Sequence, residues 1–219
     1  MRKFQIDCCP FDDNEMIYTS NEVKILSGLT VLVGCNGSGK STLLHLLKAQ
    51  LNDIEDIAVL KYDNLTEGGA NAKESAGWHD NLELLTTLIT SSEGEQIIIN
   101  LGQTARAIKQ FVRNHAKDCK ELWILIDAID SGLSIDNIVA IKEHLFKAVI
   151  DDIRNQDCVP YIVVSANSYE LCCNADCLDV RSGLHRAFKS YDDYKDFILE
   201  SSKIKDSRYK SWITICKKV

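Results

Sequence analysis

The segment GCNGSGKST at residues 34–42 has the residue types and spacing of a phosphate-binding loop. It follows an apolar run at residues 29–33 and precedes a helical pattern of leucines, the strand–loop–helix context that such a loop requires. Glycines let consecutive backbone N–H groups point into one concavity, where they and the helix N-terminus bind phosphate oxygens. Lys40 is then placed to reach the β- and γ-phosphates, and the Ser41 hydroxyl to ligate Mg²⁺. The sequence therefore predicts a nucleoside triphosphate site. Its loop residues are Gly34, Asn36, Gly37, Ser38, Gly39, Lys40, Ser41 and Thr42.

A carboxylate follows a second apolar run, at residues 122–126. If this run is a strand of a parallel sheet, Asp127 lies at the carboxyl edge, close to the phosphate loop. There it can hold water on the magnesium ion that Ser41 ligates, so both residues are predicted metal-site residues. The alternative is an aspartate that only caps its strand.

Composition limits the class of protein. The 219 residues, 45% hydrophobic and 26% charged, fit one domain with a sizeable core, so we expect a single domain over residues 1–219. No apolar run is long enough to span a membrane, and the N-terminus lacks the pattern of a secretory signal, so we expect a cytoplasmic protein. Nine cysteines, an odd number, are then mostly reduced thiols. The net charge of −7 argues against a generally basic surface.

Periodicity predicts an α/β fold in which strands and helices alternate. Residues 63–80 are rich in Gly and Asn and predict a loop. The predicted strands are 4–8, 16–19, 22–26, 29–33, 57–62, 122–126 and 161–165. The predicted helices run from the phosphate loop to residue 51 and over 82–89, 105–116, 135–153 and 191–201.

Three further segments resemble motifs of the ABC-type ATPase family, in its broad sense that includes soluble SMC- and RecF-like members. Residues 131–133, SGL, match the D-loop that follows the strand aspartate. Residues 91–96, SSEGEQ, resemble the signature motif and precede a helical pattern, with Ser92, Gly94 and Glu95 at the matching positions. Residues 163–171, VVSANSYEL, resemble the switch segment. The motifs occur in the family's order.

The resemblance implies an α/β P-loop NTPase with an ABC-type core, in which a mostly parallel sheet is flanked by helices and antiparallel strands lie at the N-terminus. It also implies a small helical lobe at about residues 64–120. It implies that the chain binds Mg-ATP and forms an ATP-dependent homodimer, paired head to tail around two nucleotides. In that arrangement Ser92 and Gly94 contact the γ-phosphate that the other subunit holds, and Glu95 belongs to the same nucleotide-binding motif. The short distance between Lys40 and Ser92 leaves no room for a coiled-coil arm, which favours a minimal soluble cassette without a membrane partner.

Two departures from the family pattern concern hydrolysis. Ala128 occupies the position of the catalytic glutamate, and a methyl group cannot activate water. Asn167 replaces the switch histidine and can donate a hydrogen bond but cannot become cationic. Asp130 is a candidate substitute base, so the predicted catalytic residues are Asp127, Asp130 and Asn167. We therefore expect slow ATP hydrolysis or none.

Other interpretations stay open at this stage. A P-loop nucleotide kinase needs the same loop, but also a lid of clustered arginines, and Arg106, Arg113 and Arg154 are scattered. A nucleotide-dependent switch that acts with a nucleic-acid or defence partner is a third class. Its support is the basic tail at residues 203–219, in which Tyr209 and Trp212 are interleaved with lysines, although on an acidic protein the favoured explanation of the tail is a solvated basic edge.

Three smaller assignments are also open. Tyr18 either stacks on adenine or belongs to the core. Cys172, Cys173 and Cys177, with Cys8 and Cys9 or His185, either bind zinc or are ordinary thiols. No glutamine matches the family's Q-loop, for which the nearest polar candidates are Asn71, His79 and Asn81.

Overall fold

A computed structural model describes residues 1–10, 16–64 and 93–216, with side chains throughout except at 93–101 and 208–216. Its strands are β1 Arg2–Gln5, β2 Glu22–Ile25, β3 Gly28–Val33, β4 Ile57–Asp63, β5 Glu121–Asp127, β6 Val159–Ser165, β7 Asp176–Asp179 and β8 Leu184–Arg186. Its α-helices are α1 Lys40–Asn52, α2 Glu93–His115, α3 Ile135–Ala140, α4 Lys147–Arg154, α5 Tyr169–Cys172 and α6 Tyr191–Cys216. A π-helical segment, Ile141–Phe146, joins α3 to α4 without a break.

The main sheet has six strands in the order β4-β5-β6-β3-β7-β8. All neighbours are parallel except β7 and β8. The strands β1 and β2 form a separate antiparallel pair. The central strands are runs of apolar residues because helices or other strands cover both faces of the sheet. This architecture confirms the predicted α/β class with a mostly parallel sheet and an N-terminal antiparallel pair.

Each face of the sheet has its own apolar cluster. Alternate strand residues such as Val31, Ile124 and Val164 join the cluster to which α2, α4 and α6 contribute. The residues between them, such as Leu32 and Leu125, pack against α1 and the β1–β2 pair. From Thr104 onward α2 packs against the first cluster through Ile108 and Val112.

The parallel register brings the carboxyl ends of five strands, β3 to β7, to one edge. Asp63 pairs with Asp127, Leu32 with Ser165, and Val33 with Asp179. The phosphate loop leaves β3 at this edge, so the side chains that follow β4, β5 and β6 converge on it.

Most predicted elements are present, with shifted ends. The first strand is Arg2–Gln5, the tail helix continues to Cys216, and the predicted helix 135–153 has a π-helical centre. The prediction of a strand at 16–19 was wrong, because the backbone there bonds instead to the turn after β7, with Thr19 N donating to Arg181 O over 2.7 Å. The strands β7 and β8 were not predicted. The proposed helix 82–89 and the loop beyond Asn64 lie outside the described residues.

Candidate nucleotide-binding site

A cavity of about 380 Å³ opens at the carboxyl edge of the sheet, above β3, β5 and β6. This volume lies in the range of small-molecule sites, which are concave and few in a protein. Its lining brings together the phosphate loop, the end of β5 and the switch segment, and adds residues from three places that motif analysis did not indicate. The lining residues are Ile17, Cys35, Asn36, Gly37, Ser38, Gly39, Lys40, Ser41, Thr42, Asp127, Ala128, Ser165, Asn167, Arg181, Ser201, Ile204 and Lys205.

The loop has the shape that its glycines allow. Gly39 has φ +96°, and a Cβ there would lie 2.6 Å from Ile17 Cγ2, so a side chain would be both strained and blocked. A turn closed by Ser38 N donating to Cys35 O, at 3.1 Å, precedes it. The helix α1 then begins at Lys40. The free N–H groups of its first turn and the positive end of the helix dipole are therefore directed into the cavity.

Lys40 is buried beneath the loop. Its Nζ donates to Gly34 O at 2.7 Å and to Cys35 O at 3.2 Å. Burial lowers the pKa of this ammonium group, while Cys35 and the carboxylates of Asp130 and Asp127 oppose that shift. An anion bound beside it would relieve the cost of burying the charge, as expected of a phosphate ligand.

Asp127 is held by the end of the neighbouring strand. Ser165 Oγ donates to Asp127 Oδ1 and accepts a hydrogen bond from Ala128 N at 2.8 Å. Asp127 is buried, and its Oδ2 has no hydrogen bond to any of the residues that the structure describes. One carboxylate oxygen is therefore fixed and the other is available to the cavity.

Ser41 and Asp127 fit a magnesium ion in the chemistry of their donor atoms. Both offer oxygen, the ligand type that Mg²⁺ prefers, and both line the same cavity. No group of three or more His, Cys, Asp or Glu side chains within the described ranges could hold a metal on its own. The alternative of a zinc site receives no support. His185 bonds Asp176 at 2.8 Å, and Cys172, Cys173 and Cys177 are free thiols.

The position of the family glutamate holds a methyl group at the cavity wall. Ala128 lines the cavity with φ +50°, a left-handed conformation that is uncommon outside glycine. The carboxylate of Asp130, two residues later, does not line the cavity. Asp130 Oδ2 accepts a hydrogen bond from Asn167 N at 2.6 Å.

The switch residue Asn167 lines the cavity and is fixed through its backbone. Besides the bond to Asp130, its carbonyl accepts from Tyr194 Oη of α6 at 2.6 Å. Burial raises the pKa of Tyr194, so its hydroxyl keeps the proton that it donates. The conformation of Asn167 thus depends on both the D-loop and the C-terminal helix.

Asn64 is a site residue that sequence analysis missed. It follows β4 directly, and its Nδ2 donates to Ala128 O at 3.0 Å and Ser131 O at 3.1 Å. It therefore holds the loop that follows Asp127. The Q-loop candidates Asn71, His79 and Asn81 lie outside the described residues. The only sequence signal for Asn64 was its place directly after β4, the strand that pairs with β5.

Asn64→Ala should destabilise the protein by about 1–2 kcal/mol, since two side-chain hydrogen bonds are lost. Thermal unfolding should show a midpoint lower by a few degrees. The exposed Asn52, at the end of α1, supplies the matched control Asn52→Ala, which should leave the midpoint nearly unchanged. Equal midpoints for the two variants would show that Asn64 does not brace the loop.

Tyr18 is a core residue. Its side chain is fully buried and Tyr18 Oη donates to Gly39 O at 2.8 Å, so it supports the phosphate loop from below. Its neighbour Ile17 lines the cavity instead, together with Arg181. The Nε of Arg181 is buried and has no hydrogen-bond partner within the described part of the chain.

The signature segment lies outside the part of the chain whose side chains the structure describes. Ser92 lies outside the described residues, and Gly94 and Glu95 fall in the first turn of α2, where side chains are not described. None of the lining residues that the structure describes comes from α2. An α-helix does begin directly after Ser92, as the motif requires.

Comparison with known families agrees with this geometry. A family model described as ABC transporter matches residues 25–137, a little over half of the chain. The chain belongs to the ABC transporter ATPase family. The cassette's matched part holds the phosphate loop, Asp127 and the D-loop, whereas β6, the switch segment and α6 follow it. ABC ATPase domains bind ATP, typically with Mg²⁺, and commonly dimerise.

A search of curated proteins found no match to this ABC cassette. Among the described helices of the cassette, none is long and apolar enough to cross a membrane.

Proposed function

We propose that this ABC cassette is a minimal SMC- or RecF-like member that binds Mg-ATP, pairs head to tail with a second copy and hydrolyses ATP slowly or not at all. The observation that carries the proposal is one cavity in which Lys40, Ser41 and Asp127 meet while Ala128 occupies the place of the base. Binding groups are thus retained where the hydrolytic group is missing.

The binding groups act on the phosphates in distinct ways. The loop amides and the N-terminus of α1 donate to phosphate oxygens, and Lys40 compensates the charge between the β- and γ-phosphates. Ser41 and Asp127 would hold Mg²⁺, which when bound neutralises charge on the phosphate oxygens. Ser165 keeps the Asp127 carboxylate oriented toward that task.

Slow hydrolysis follows from the groups around Ala128. No carboxylate other than that of Asp127 lines the described part of the cavity. Asp130 would need to release Asn167 N before it could reach water in the cavity. Asn167 offers an amide that can bond a γ-phosphate but cannot supply a positive charge.

The surface beside the D-loop supports pairing with a second copy. Ile135 and Val139 stand one helical turn apart on α3, and their exposed fractions are 64% and 42%. They follow the D-loop directly, in the region that would approach the partner's D-loop in a head-to-tail dimer. Covering these side chains would add apolar burial to the contacts that ATP makes with the partner's Ser92 and Gly94.

Mg-ATP should convert the protein from monomer to dimer, and Mg-ADP should not, because only the triphosphate reaches the partner's signature segment. Size-exclusion chromatography with light scattering at tens of micromolar protein measures the change. Ser92→Arg and Ile135→Glu should each block pairing and leave ATP affinity intact.

A matched control for Ile135→Glu is Leu184→Glu, on the edge strand β8, where the side chain is 67% exposed. This variant should still dimerise. A wild-type protein that remains monomeric in Mg-ATP would contradict the head-to-tail proposal.

A nucleotide kinase fits the described residues less well. Arg106 and Arg113 line a separate groove on α2, and the Arg154 guanidinium lies near Gly28 at the opposite end of β3. None of the three lines the nucleotide cavity, so the described residues form no arginine lid.

The nucleic-acid alternative rests on the C-terminal tail, which is helical to Cys216. One of its lysines, Lys205, lines the nucleotide cavity. That placement weakens the case for the tail as a purely external basic surface.

A further inference from the structure

The C-terminal helix α6 forms one wall of the nucleotide cavity. Ser201 and Lys205, four residues apart on one face of the helix, both contact the phosphate loop. Cys35 N donates to Ser201 Oγ at 3.3 Å, and Lys205 Nζ donates to Asn36 O at 3.0 Å. Ile204 lines the cavity between them. The phosphate loop is therefore braced by a helix that lies beyond the region matched by the family.

The charge of Lys205 is not compensated in the free protein. An ammonium group has three donors, and only one of them is used here, on Asn36 O. No carboxylate within the described residues forms a salt bridge with Lys205. Lys205 as a residue is half-buried and lines the cavity, while its ammonium group is exposed there and keeps donors for an anion.

Lys205 and Lys40 face the same end of the loop. Lys40 bonds the carbonyls of Gly34 and Cys35, and Lys205 bonds the next carbonyl, that of Asn36. Both lysines therefore bond the segment 34–36 of the loop, and both line the nucleotide cavity. Two like charges so placed favour a ligand that carries several negative charges.

The part of the cavity lining beside Gly39 has a different character. Ile17 lies against Gly39, at the start of α1, and Arg181 lines the cavity on the same side, since its carbonyl accepts from Thr19 N. The apolar Ile17 suits the base and sugar of a nucleotide. The end near Gly34, Cys35 and Asn36, with Lys40 and Lys205, suits its terminal phosphate.

We propose that Lys205 binds the terminal phosphate of the nucleotide in cis, so that α6 makes the site selective for a triphosphate over a diphosphate. This rests on the proposed function, since it takes the ligand of the cavity to be ATP. Ser201 contributes by fixing the helix on the loop through Cys35 N. The selectivity then comes from the chain's C-terminal helix, within one subunit.

Lys205→Ala should weaken Mg-ATP binding about tenfold or more, the range expected for the loss of one hydrogen bond between charged groups. Mg-ADP affinity should fall by less than about threefold, because the diphosphate does not reach Lys205. Lys205→Arg should retain most of the ATP affinity, since it keeps the charge and the donors. Isothermal titration calorimetry on the full chain, at concentrations where light scattering finds a monomer, measures these three affinities beside those of the wild type.

The matched control is Lys203→Ala. Lys203 lies on the same helix and is exposed, and its side chain has no hydrogen bond or salt bridge within the described part of the chain. Its removal changes the net charge by the same amount as the removal of Lys205. Its ATP affinity should equal that of the wild type. If Lys205→Ala behaves as Lys203→Ala, or weakens ATP and ADP by the same factor, the proposal is overturned.

The proposed function fails separately. A wild-type protein that does not bind ATP would refute it, whatever Lys205 does. ATP binding that requires Lys40 but is indifferent to Lys205 would refute only the role of α6.

Discussion

Lys40→Ala should reduce ATP affinity by at least about a hundredfold. The loop amides remain in the variant, but the charge between the β- and γ-phosphates loses its nearest cation. The lysine is already in place in the free protein, held by Gly34 O and Cys35 O. Binding therefore does not have to order a flexible side chain, and the full interaction is lost when the side chain is removed. Titration with a fluorescent ATP analogue measures the affinity.

Lys48→Ala is the matched control for this variant. Lys48 lies on the same helix, eight residues further along, outside the cavity lining. Its removal changes net charge equally and should leave ATP affinity unchanged. Equal affinity in Lys40→Ala and the wild type would refute the nucleotide site.

The parts of the site that the sequence predicted share one property, which is that each is encoded by a contiguous segment. The phosphate loop needs glycines, a lysine and a hydroxyl in fixed order between a strand and a helix, and all of these are local. The position of Asp127 followed from the parallel strand that precedes it, and the register of β5 with β4 and β6 places it at the expected edge.

The residues that were missed depend on contacts between distant segments. Asn64 acts on the D-loop because β4 pairs with β5. The order of strands in a sheet cannot be predicted from the sequence of either strand. Lys205 reaches Asn36 because α6 docks on the loop, and its sequence suggested only a basic tail. Tyr18 and Ile17 show the same limit, since periodicity placed them in a strand that does not form, and the local pattern gave no sign of which one faces the cavity.

Asp130 illustrates how a backbone contact changes the meaning of a motif. Its spacing from Asp127 made it a candidate base, but its carboxylate accepts from the amide of Asn167, a contact that no side-chain pattern encodes.

Two variants separate the role of Asp130 as a base from its role in positioning Asn167. Asp130→Asn keeps an oxygen acceptor for that amide and removes the base, whereas Asp130→Ala removes both. Base catalysis by Asp130 requires both variants to lose turnover, and a positioning role requires Asp130→Asn to keep it.

Ala128→Glu should raise ATP turnover by about a hundredfold or more, which is the lower end of what a positioned general base contributes. The left-handed conformation at this position is already occupied by a residue with a Cβ, so the longer side chain adds little backbone strain. Its carboxylate would extend from the cavity wall beside Asp127, and Ser165 would still hold the Ala128 amide. A phosphate-release assay on protein saturated with Mg-ATP measures the rate.

Ala128→Gln is the matched control, since it has the same size and no basic oxygen, and it should hydrolyse ATP as slowly as the wild type. The faster variant should also shorten the life of the ATP-bound dimer, because hydrolysis removes the phosphate that joins the subunits. Light scattering after a single addition of ATP would then show the Ala128→Glu dimer dissociating while the Ala128→Gln dimer persists. If Ala128→Glu binds ATP but turns it over no faster than Ala128→Gln, the missing glutamate is not what limits hydrolysis in this cassette, and the barrier lies in how Asn167 and the D-loop place the water.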